Sequence, residues 1–158
     1  MSNFIQVGSP APTDTVLDHE GKEVSVKDYL GQKLILFFYP KANTPGCTKE
    51  ACSLRDHYET FVEKGYAVVG VSPDNQKPIQ NFINKQSLPY PLWSDKEMVL
   101  IKGFGAWGEK SMYGKTYEGL LRSTFVIDEE GKVSHVVEKV ITKAHAEQLL
   151  ELLAPATV

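Results

Sequence analysis

Residues 37–56, Phe-Phe-Tyr-Pro-Lys-Ala-Asn-Thr-Pro-Gly-Cys-Thr-Lys-Glu-Ala-Cys-Ser-Leu-Arg-Asp, change from one structural pattern to another. The apolar, aromatic-rich run over 34–39 is typical of a buried strand. Residues 40–46 contain Pro, Asn, Pro and Gly, which predict a turn. Thr44-Pro45 is a helix start signal, because a hydroxyl residue suits the N-cap and proline suits the first helical position. We therefore predict a strand–loop–helix unit whose helix runs from about 45 to 64 and ends at Gly65.

Both cysteines of the chain, Cys47 and Cys52, lie in this predicted helix. Cys47 falls in the first turn, where free N–H groups and the positive end of the helix dipole favour a thiolate. The thiolate is the nucleophilic form of cysteine. Cysteines of cytosolic proteins are commonly reduced and inert, so this position alone leaves the reactivity of Cys47 open. A spacing of five residues fits neither a zinc site nor a Cys-x-x-Cys redox pair.

The helical periodicity places the two cysteines on different faces. An apolar stripe facing the core comprises Cys47, Ala51, Leu54, Tyr58, Phe61 and Val62. Cys52 lies about 140° away, on a polar face with Arg55, Asp56, Glu59 and Glu63. In an intact helix the two Cα atoms are about 9 Å apart, whereas a disulfide needs about 7 Å or less. A bond between them therefore requires unwinding, and we expect a small cost because only Ala51 between 48 and 53 would leave the core.

Composition and charge limit the class of protein. With 158 residues, 42% of them hydrophobic, the chain is expected to form a single globular domain over residues 1–158. A net charge of −3 argues against a nucleic-acid or anionic-membrane partner. The N-terminus lacks a basic region followed by an apolar run, and no apolar run is long enough to span a membrane. We therefore expect a cytoplasmic protein.

The order of predicted elements favours an α/β fold. Strands are predicted at 15–18, 23–26, 34–39, 67–71, 90–93, 123–127 and 132–138. Helices are predicted at 45–64, 78–86, 97–103 and 143–153, the last with Leu149, Leu150, Leu152 and Leu153 toward the core. Residues 105–119 are glycine-rich and predicted to be irregular, with Trp107, Met112, Tyr113 and Tyr117 packing over the core. This order predicts a mixed central sheet flanked by helices, with an N-terminal hairpin extension.

Two other patterns carry little functional weight. Residues 103–108 satisfy Gly-x-Gly-x-x-Gly, but no clear strand precedes them and no helical pattern follows, so the dinucleotide-binding context is missing. The histidines at 19, 57, 135 and 145 lack metal-ligand spacing. We expect them to be surface or hydrogen-bonded structural residues.

The central stretch resembles a known family. Pro40, Thr44 and Cys47 match the Pro-x-x-x-Thr-x-x-Cys motif of the peroxiredoxins. Residues 38–52 are similar to the bacterioferritin comigratory protein, or peroxiredoxin Q, branch, which carries a second cysteine five residues on, as Cys52 is here. The resemblance extends over most of the chain and implies a thioredoxin-like fold.

The same resemblance implies a thiol-dependent peroxidase that serves in antioxidant defence. Cys47 would attack hydrogen peroxide or an organic hydroperoxide and become a sulfenic acid. Cys52 would then form an intramolecular disulfide with it, and thioredoxin or a similar dithiol would reduce that bond. The resemblance implies neither metal nor haem, and it implies a monomer. The alternative is a non-enzymatic thioredoxin-fold module, such as a chaperone-like or redox-sensing binder.

The resemblance also assigns residues around Cys47. Capping the helix would by itself explain Thr44. The family resemblance adds a second role, in which the Thr44 hydroxyl contacts the Cys47 sulfur and a peroxide oxygen. Arg122 by itself would be a surface charge, but the family points an arginine at the cysteine from this strand. Its fork of donors would stabilise the thiolate and the leaving oxygen. Glu50 would orient Arg122, and Pro40, Thr44, Glu50 and Arg122 would bind the substrate.

Overall fold

The computed structural model describes residues 4–112 and 114–153. Its strands are β1 (Val16–Asp18), β2 (Glu23–Val24), β3 (Lys33–Phe38), β4 (Tyr66–Ser72), β5 (Leu92–Ser94), β6 (Trp107–Met112), β7 (Lys115–Leu120), β8 (Ser123–Ile127) and β9 (Val133–Val137). Its α-helices are α1 (Pro45–Asp56), α2 (Tyr58–Glu63), α3 (Gln76–Gln86), α4 (Val99–Gly103) and α5 (His145–Leu152). Short 3-10 helices cover Val26–Tyr29 and Thr142–Ala144. None of the helices in the described ranges is long and apolar enough to cross a membrane.

The main sheet of the described residues has the strand order β2-β1-β5-β4-β3-β8-β9. Strand β3 lies near its middle, parallel to β4 on one side and antiparallel to β8 on the other. Strands β3 and β8 are buried almost throughout because both of their faces are covered. The predicted α/β fold with a mixed, helix-flanked sheet is therefore confirmed.

The alternation of side chains along β3 divides the core into two layers. Leu34, Leu36 and Phe38 face one layer, with buried residues from α4 and β8. Ile35 and Phe37 face the other, in which α1, α3 and α5 pack on the sheet. Cys47 belongs to this second layer, so the first turn of α1 is held against the sheet.

The predicted helix over 45–64 is interrupted at His57. The His57 ring Nδ1 donates to the Ser53 carbonyl (3.1 Å), which is the acceptor that the His57 backbone N–H would use in a continuous helix. That N–H bonds to the Leu54 carbonyl instead. Val62 of α2, predicted to face the core, lies beyond this break and is 49% exposed.

The prediction that residues 105–119 are irregular is wrong. Strands β6 and β7 form a regular antiparallel hairpin whose register runs from Trp107↔Leu120 to Met112↔Lys115. Glycine has low strand propensity, so the sequence pattern did not indicate strands here. Gly119 nevertheless suits the hairpin, because a Cβ at this position would lie only 3.1 Å from Lys110 Cδ on the opposite strand. Trp107 packs against the core as expected, whereas Tyr117 is 43% exposed. The side chains of Met112 and Tyr113 lie outside the described residues.

Most other elements agree with the prediction within a few residues. The closing helix begins as a 3-10 turn, and Leu152, predicted to face the core, is 43% exposed. Residues 103–108 run from the end of α4 into β6, so they form no strand–turn–helix unit.

Gly70 allows the two central parallel strands to pack closely. It pairs with Phe37 on β3 and Leu92 on β5, and an added Cβ would lie 2.6 Å from Phe37 Cζ and Leu92 Cδ2. Gly70→Ala should therefore lower the free energy of unfolding by about 1–3 kcal/mol. Urea denaturation measures this change, and an unaltered midpoint would contradict it.

Candidate active site

The site lies where β3 ends and α1 begins. Thr44 is extended at the N-cap, and its carbonyl accepts the Thr48 N–H at 2.8 Å. Pro45 begins the helix as predicted, and Cys47 follows in the first turn with 1% of its surface exposed. The thiol is therefore almost completely enclosed, within the second core layer.

Arg122 reaches this sulfur from the link between β7 and β8. Its Nη2 donates to Cys47 Sγ at 3.2 Å, and its Nη1 donates to Glu50 Oε1 at 2.7 Å. The backbone of the link is fixed by a bond from the Leu121 N–H to the Ala106 carbonyl. Gly46 leaves room for the guanidinium, since a Cβ there would lie 3.3 Å from Nη2. The expected contacts of Arg122 with Cys47 and with Glu50 are therefore present.

The electrostatics of the site follow from burial. Glu50 is completely buried, and desolvation raises its pKa to about 7 even though Arg122 acts to lower it. Burial also lowers the pKa of Arg122, but Glu50 and Cys47 outweigh that effect and raise it overall. Arg122 therefore carries its charge at every relevant pH.

Thr44 and Pro40 occupy the loop beside Cys47. The Thr44 hydroxyl donates to the Lys41 carbonyl at 2.8 Å, and it neither caps α1 nor contacts the sulfur. The predicted side-chain cap is therefore wrong, because donation to the Lys41 carbonyl within the local turn orients the hydroxyl away from the free N–H groups of α1. Pro40 is half-buried and follows β3 by two residues. The Ala42 N–H, bonded to Asp74 Oδ2 at 2.7 Å, ties the loop to the end of β4.

Cys52 lies one turn and a half further along α1, on a different face. It is half-buried rather than solvated, and its Sγ donates to Gln86 Oε1 at 3.4 Å. Arg55 donates to the Gln86 carbonyl at 2.7 Å, so the end of α3 is joined to this face of α1. Both cysteines are free thiols, and α1 is continuous across them.

Hydrogen bonds to three other parts of the chain hold α1 in place. The Tyr90 hydroxyl donates to the Ala51 carbonyl at 2.7 Å in a buried bond. Ser53 Oγ accepts the Ala146 N–H of α5 at 2.9 Å, and Glu50 is tied to Arg122. The expectation that only Ala51 would leave the core on unwinding is therefore wrong. Buried polar contacts of α1 cannot be seen in a helical hydrophobic pattern.

Two side chains near the site were not foreseen. His145, expected to be a surface or structural histidine, is completely buried beside Glu50, with its Nε2 3.7 Å from Glu50 Oε2. Lys110 on β6 lies close enough to Arg122 and Cys47 to interact electrostatically with both, and burial and Arg122 lower its pKa. His145 lies just after the predicted start of the closing helix, and Lys110 lies in the hairpin that was predicted to be a loop. No sequence pattern therefore indicated that either residue lies near Cys47. No group of three His, Cys, Asp or Glu in the described ranges is arranged to hold a metal ion.

Comparison with known proteins identifies the family. The model of the AhpC/TSA family matches residues 7–136. A putative peroxiredoxin of Mycobacterium tuberculosis is 45% identical over 142 residues, covering 90% of each chain. Peroxiredoxin Bcp of Escherichia coli K12 is 40% identical over 151 residues, covering 96% of this chain and 97% of the relative. The solved bacterioferritin comigratory protein of Xanthomonas campestris superposes with a TM-score of 0.86 at 34% identity, covering 94% of this chain and 97% of that one.

The chain belongs to the AhpC/TSA family, as the extent of the family match and the identities of these relatives show. Within that family it is a peroxiredoxin of the Bcp, or peroxiredoxin Q, branch, and hence a thiol-dependent peroxidase with a thioredoxin-like fold. The resemblance noted from residues 38–52 is thereby confirmed. The alternative of a non-enzymatic module is rejected.

The raised pKa of Glu50 makes stability depend on pH. The folded carboxyl keeps its proton up to about pH 7, whereas its ordinary pKa is 4.5, so its contribution to stability falls as pH rises between these values. Glu50→Gln cannot ionise, and its free energy of unfolding should therefore rise relative to the wild type between pH 5 and pH 8. Urea denaturation of the reduced proteins tests this. Glu59→Gln, at an exposed site on α2, is the matched control and should show no such trend.

Proposed function

We propose that Cys47 is the nucleophile that reduces hydrogen peroxide and organic hydroperoxides, and that Arg122 activates it. The observation that carries this proposal is the bond from Arg122 Nη2 to Cys47 Sγ at a helix N-terminus. Both the guanidinium and the free N–H groups of the first turn favour a thiolate. The Xanthomonas relative was studied for alkyl peroxide reduction, which supports organic hydroperoxides as substrates.

In the proposed reaction the thiolate attacks the terminal oxygen of the peroxide. The O–O bond breaks, an S–O bond forms, and the leaving oxygen takes up a proton to become water or an alcohol. Arg122, held in place by Glu50, stabilises the charge that develops on that oxygen. Pro40 and Thr44 complete the substrate site. For its hydroxyl to reach the peroxide, Thr44 must leave the Lys41 carbonyl.

Cys52 is the proposed resolving cysteine, and its thiol condenses with the sulfenic acid to form an intramolecular disulfide with loss of water. Since a continuous helix keeps the two Cα atoms about 9 Å apart, α1 must unwind first. Three hydrogen bonds oppose this step: from Tyr90 to the Ala51 carbonyl, between Ser53 and α5, and from Arg55 to the end of α3. Thioredoxin or a similar dithiol would then reduce the exposed disulfide by exchange. We further propose that the enzyme acts as a cytoplasmic monomer, a single domain over residues 1–158, without metal or haem.

Intact mass spectrometry after one equivalent of peroxide tests the two cysteine roles. Wild type should lose two hydrogens within one chain, whereas Cys52→Ser should gain one oxygen and be labelled by a sulfenic-acid trap. Cys47→Ser should show neither change and no peroxide turnover with a dithiol. Turnover by Cys47→Ser, or a disulfide that links two chains, would contradict these assignments.

Arg122→Ala should slow peroxide attack by roughly a hundredfold, because a charge-assisted donor aimed at the reacting atoms is lost. Alkylation of Cys47 by iodoacetamide at neutral pH should also slow, since the sulfur loses the guanidinium that donates to it. Arg122→Lys keeps a charge but not the fork, so its rate should lie between those of the wild type and Arg122→Ala. Stopped-flow kinetics measures the rate, and equal rates for all three proteins would place Arg122 outside the reaction.

Removing one restraint on α1 should speed formation of the disulfide. Tyr90→Phe loses the bond to the Ala51 carbonyl, worth about 1 kcal/mol, so disulfide formation should be roughly fivefold faster. Tyr58→Phe is the control, because the Tyr58 hydroxyl makes no hydrogen bond within the described residues. Rapid-quench mass spectrometry follows the reaction. Hydrogen exchange should be faster over 45–55 in the oxidised form than in the reduced one, and equal protection in the two forms would refute the unwinding.

A further inference from the structure

One buried carboxylate oxygen of the site is left without a partner. Glu50 Oε1 accepts from Arg122, but Glu50 Oε2 has no hydrogen-bond partner among the described residues. The ring Nε2 of His145 lies 3.7 Å from it, and both side chains are completely buried. A buried oxygen in this position requires a physical explanation, because an unpaired polar atom in the core is costly.

The hydrogen bonds of His145 fix which of its ring nitrogens carries a hydrogen. Gln148 Oε1 accepts the Ile141 N–H at 3.1 Å, and Gln148 Nε2 donates to the Lys139 carbonyl at 2.8 Å, so the orientation of this amide is determined. His145 Nδ1, 2.9 Å from Gln148 Oε1, must therefore be the donor. In the neutral ring the lone pair is then on Nε2, where it accepts from the Thr124 hydroxyl at 2.7 Å.

Because the Thr124 hydroxyl occupies the single lone pair of Nε2, the neutral ring has no hydrogen to offer Glu50 Oε2. If Glu50 were ionised and His145 neutral, Oε2 would be a buried anionic oxygen with no donor among the described residues. One proton on Glu50 removes that charge, and one proton on His145 Nε2 would supply a donor instead. Burial raises the pKa of Glu50 to about 7 and lowers the pKa of His145 to about 4, so near neutral pH that proton resides on Glu50.

Among the described residues, the charged or titratable groups that interact electrostatically with the pair are Arg122 before β8, Tyr39 after β3 and Tyr90 before β5. Cys47 on α1 interacts with Arg122 instead. Burial raises the pKa of both tyrosines well above the ordinary value, so they remain neutral. Lys110 interacts with Arg122 and Cys47. Arg122 is thus the cation for which Glu50 and a Cys47 thiolate compete.

We propose that Glu50 and His145 hold one proton between them while Cys47 is a thiolate, and release it when Cys47 is oxidised. The proposal rests on the nucleophilic role of Cys47. While Glu50 is neutral, the positive charge of Arg122 is balanced chiefly by the thiolate. Once the sulfur is a neutral sulfenic acid or a disulfide, Glu50 ionises and becomes the partner of Arg122.

The proton that the first step consumes is then matched by a proton released within the site. The sulfur gives two electrons to the O–O bond, the S–O bond forms, and the leaving oxygen takes up one proton. The proton released by the pair matches the one taken up, so the step draws little net proton from solvent below about pH 7. His145 touches no reacting atom and is therefore a positioning residue that acts through Glu50.

Infrared difference spectroscopy of reduced against oxidised protein at pH 6 tests the protonation directly. The reduced wild type should show the carbonyl stretch of a protonated carboxyl group, and this band should disappear after one equivalent of peroxide. Glu50→Gln should lack the band. Peroxide turnover of the wild type is measured in parallel and tests the peroxidase function itself. A missing carboxyl band with normal turnover would count against the proton proposal alone, whereas absent turnover would count against the proposed function.

His145→Asn replaces the ring that encloses Glu50 Oε2 with a smaller side chain and leaves room for a donor, so Glu50 should ionise at lower pH and compete with the thiolate for Arg122. The infrared band should weaken at pH 6, and alkylation of Cys47 at that pH should slow roughly threefold, because an ionised Glu50 draws the charge of Arg122 away from the sulfur. His57→Gln is the control, because His57 also lies beside a carboxylate of α5, Glu147 at 3.3 Å, but both of these side chains are partly exposed and neither contacts Glu50. It should leave both readouts unchanged.

Three results would overturn the proposal. They are the absence of a carboxyl band in the reduced wild type, its persistence after oxidation, and equal shifts in His57→Gln and His145→Asn. The last would mean that loosening α5 explains the effect. Should His145→Asn fail to fold, the comparison of wild type with Glu50→Gln still decides whether Glu50 is protonated.

Discussion

The fork of Arg122 joins the Cys47 sulfur to the Glu50 carboxyl, and the arrangement of the site depends on this one interaction. Cys47 and Glu50 are buried and lie one helical turn apart on the same face of α1. A single guanidinium facing that side of the helix therefore reaches both of them. Arg122 does so because the link between β7 and β8 lies over the start of α1. The β6–β7 hairpin therefore acts on the candidate site through the link that follows it, which bonds to Ala106 just before β6, although the hairpin lies outside the main sheet.

Burial of Glu50 has a consequence for both stability and chemistry. A buried carboxylate is expensive unless it is paired, and here the pairing is incomplete because only one of its oxygens has a donor among the described residues. The unpaired oxygen lies 3.7 Å from His145 Nε2, so this end of α1 packs beside the closing helix α5. The same group thus orients Arg122 and links the site to the C-terminal part of the fold.

Helix α1 must satisfy two opposing requirements. Its first turn has to be rigid enough to aim Cys47 at Arg122, yet the proposed disulfide needs the same turn to unwind. Tyr90, Ser53 and Arg55 restrain the helix through individual hydrogen bonds rather than through a large apolar surface. Hydrogen bonds contribute about 1 kcal/mol each, so such restraints keep the helix folded without preventing local opening.

The sequence by itself determined the features that depend on neighbours along the chain. The apolar run of β3, the Thr44-Pro45 helix start and the position of Cys47 in the first turn follow from local propensity and periodicity. The wider resemblance to the family added Arg122 and Glu50, which are 72 residues apart and which no local sequence pattern would have connected. Only the tertiary structure decided the rest. It placed the His57 ring on the Ser53 carbonyl, turned the Thr44 hydroxyl to Lys41, paired two glycine-rich segments as a hairpin, and buried His145 beside Glu50. These outcomes depend on competition between hydrogen-bond partners and on contacts between distant segments, and a one-dimensional pattern of apolar and polar residues carries neither.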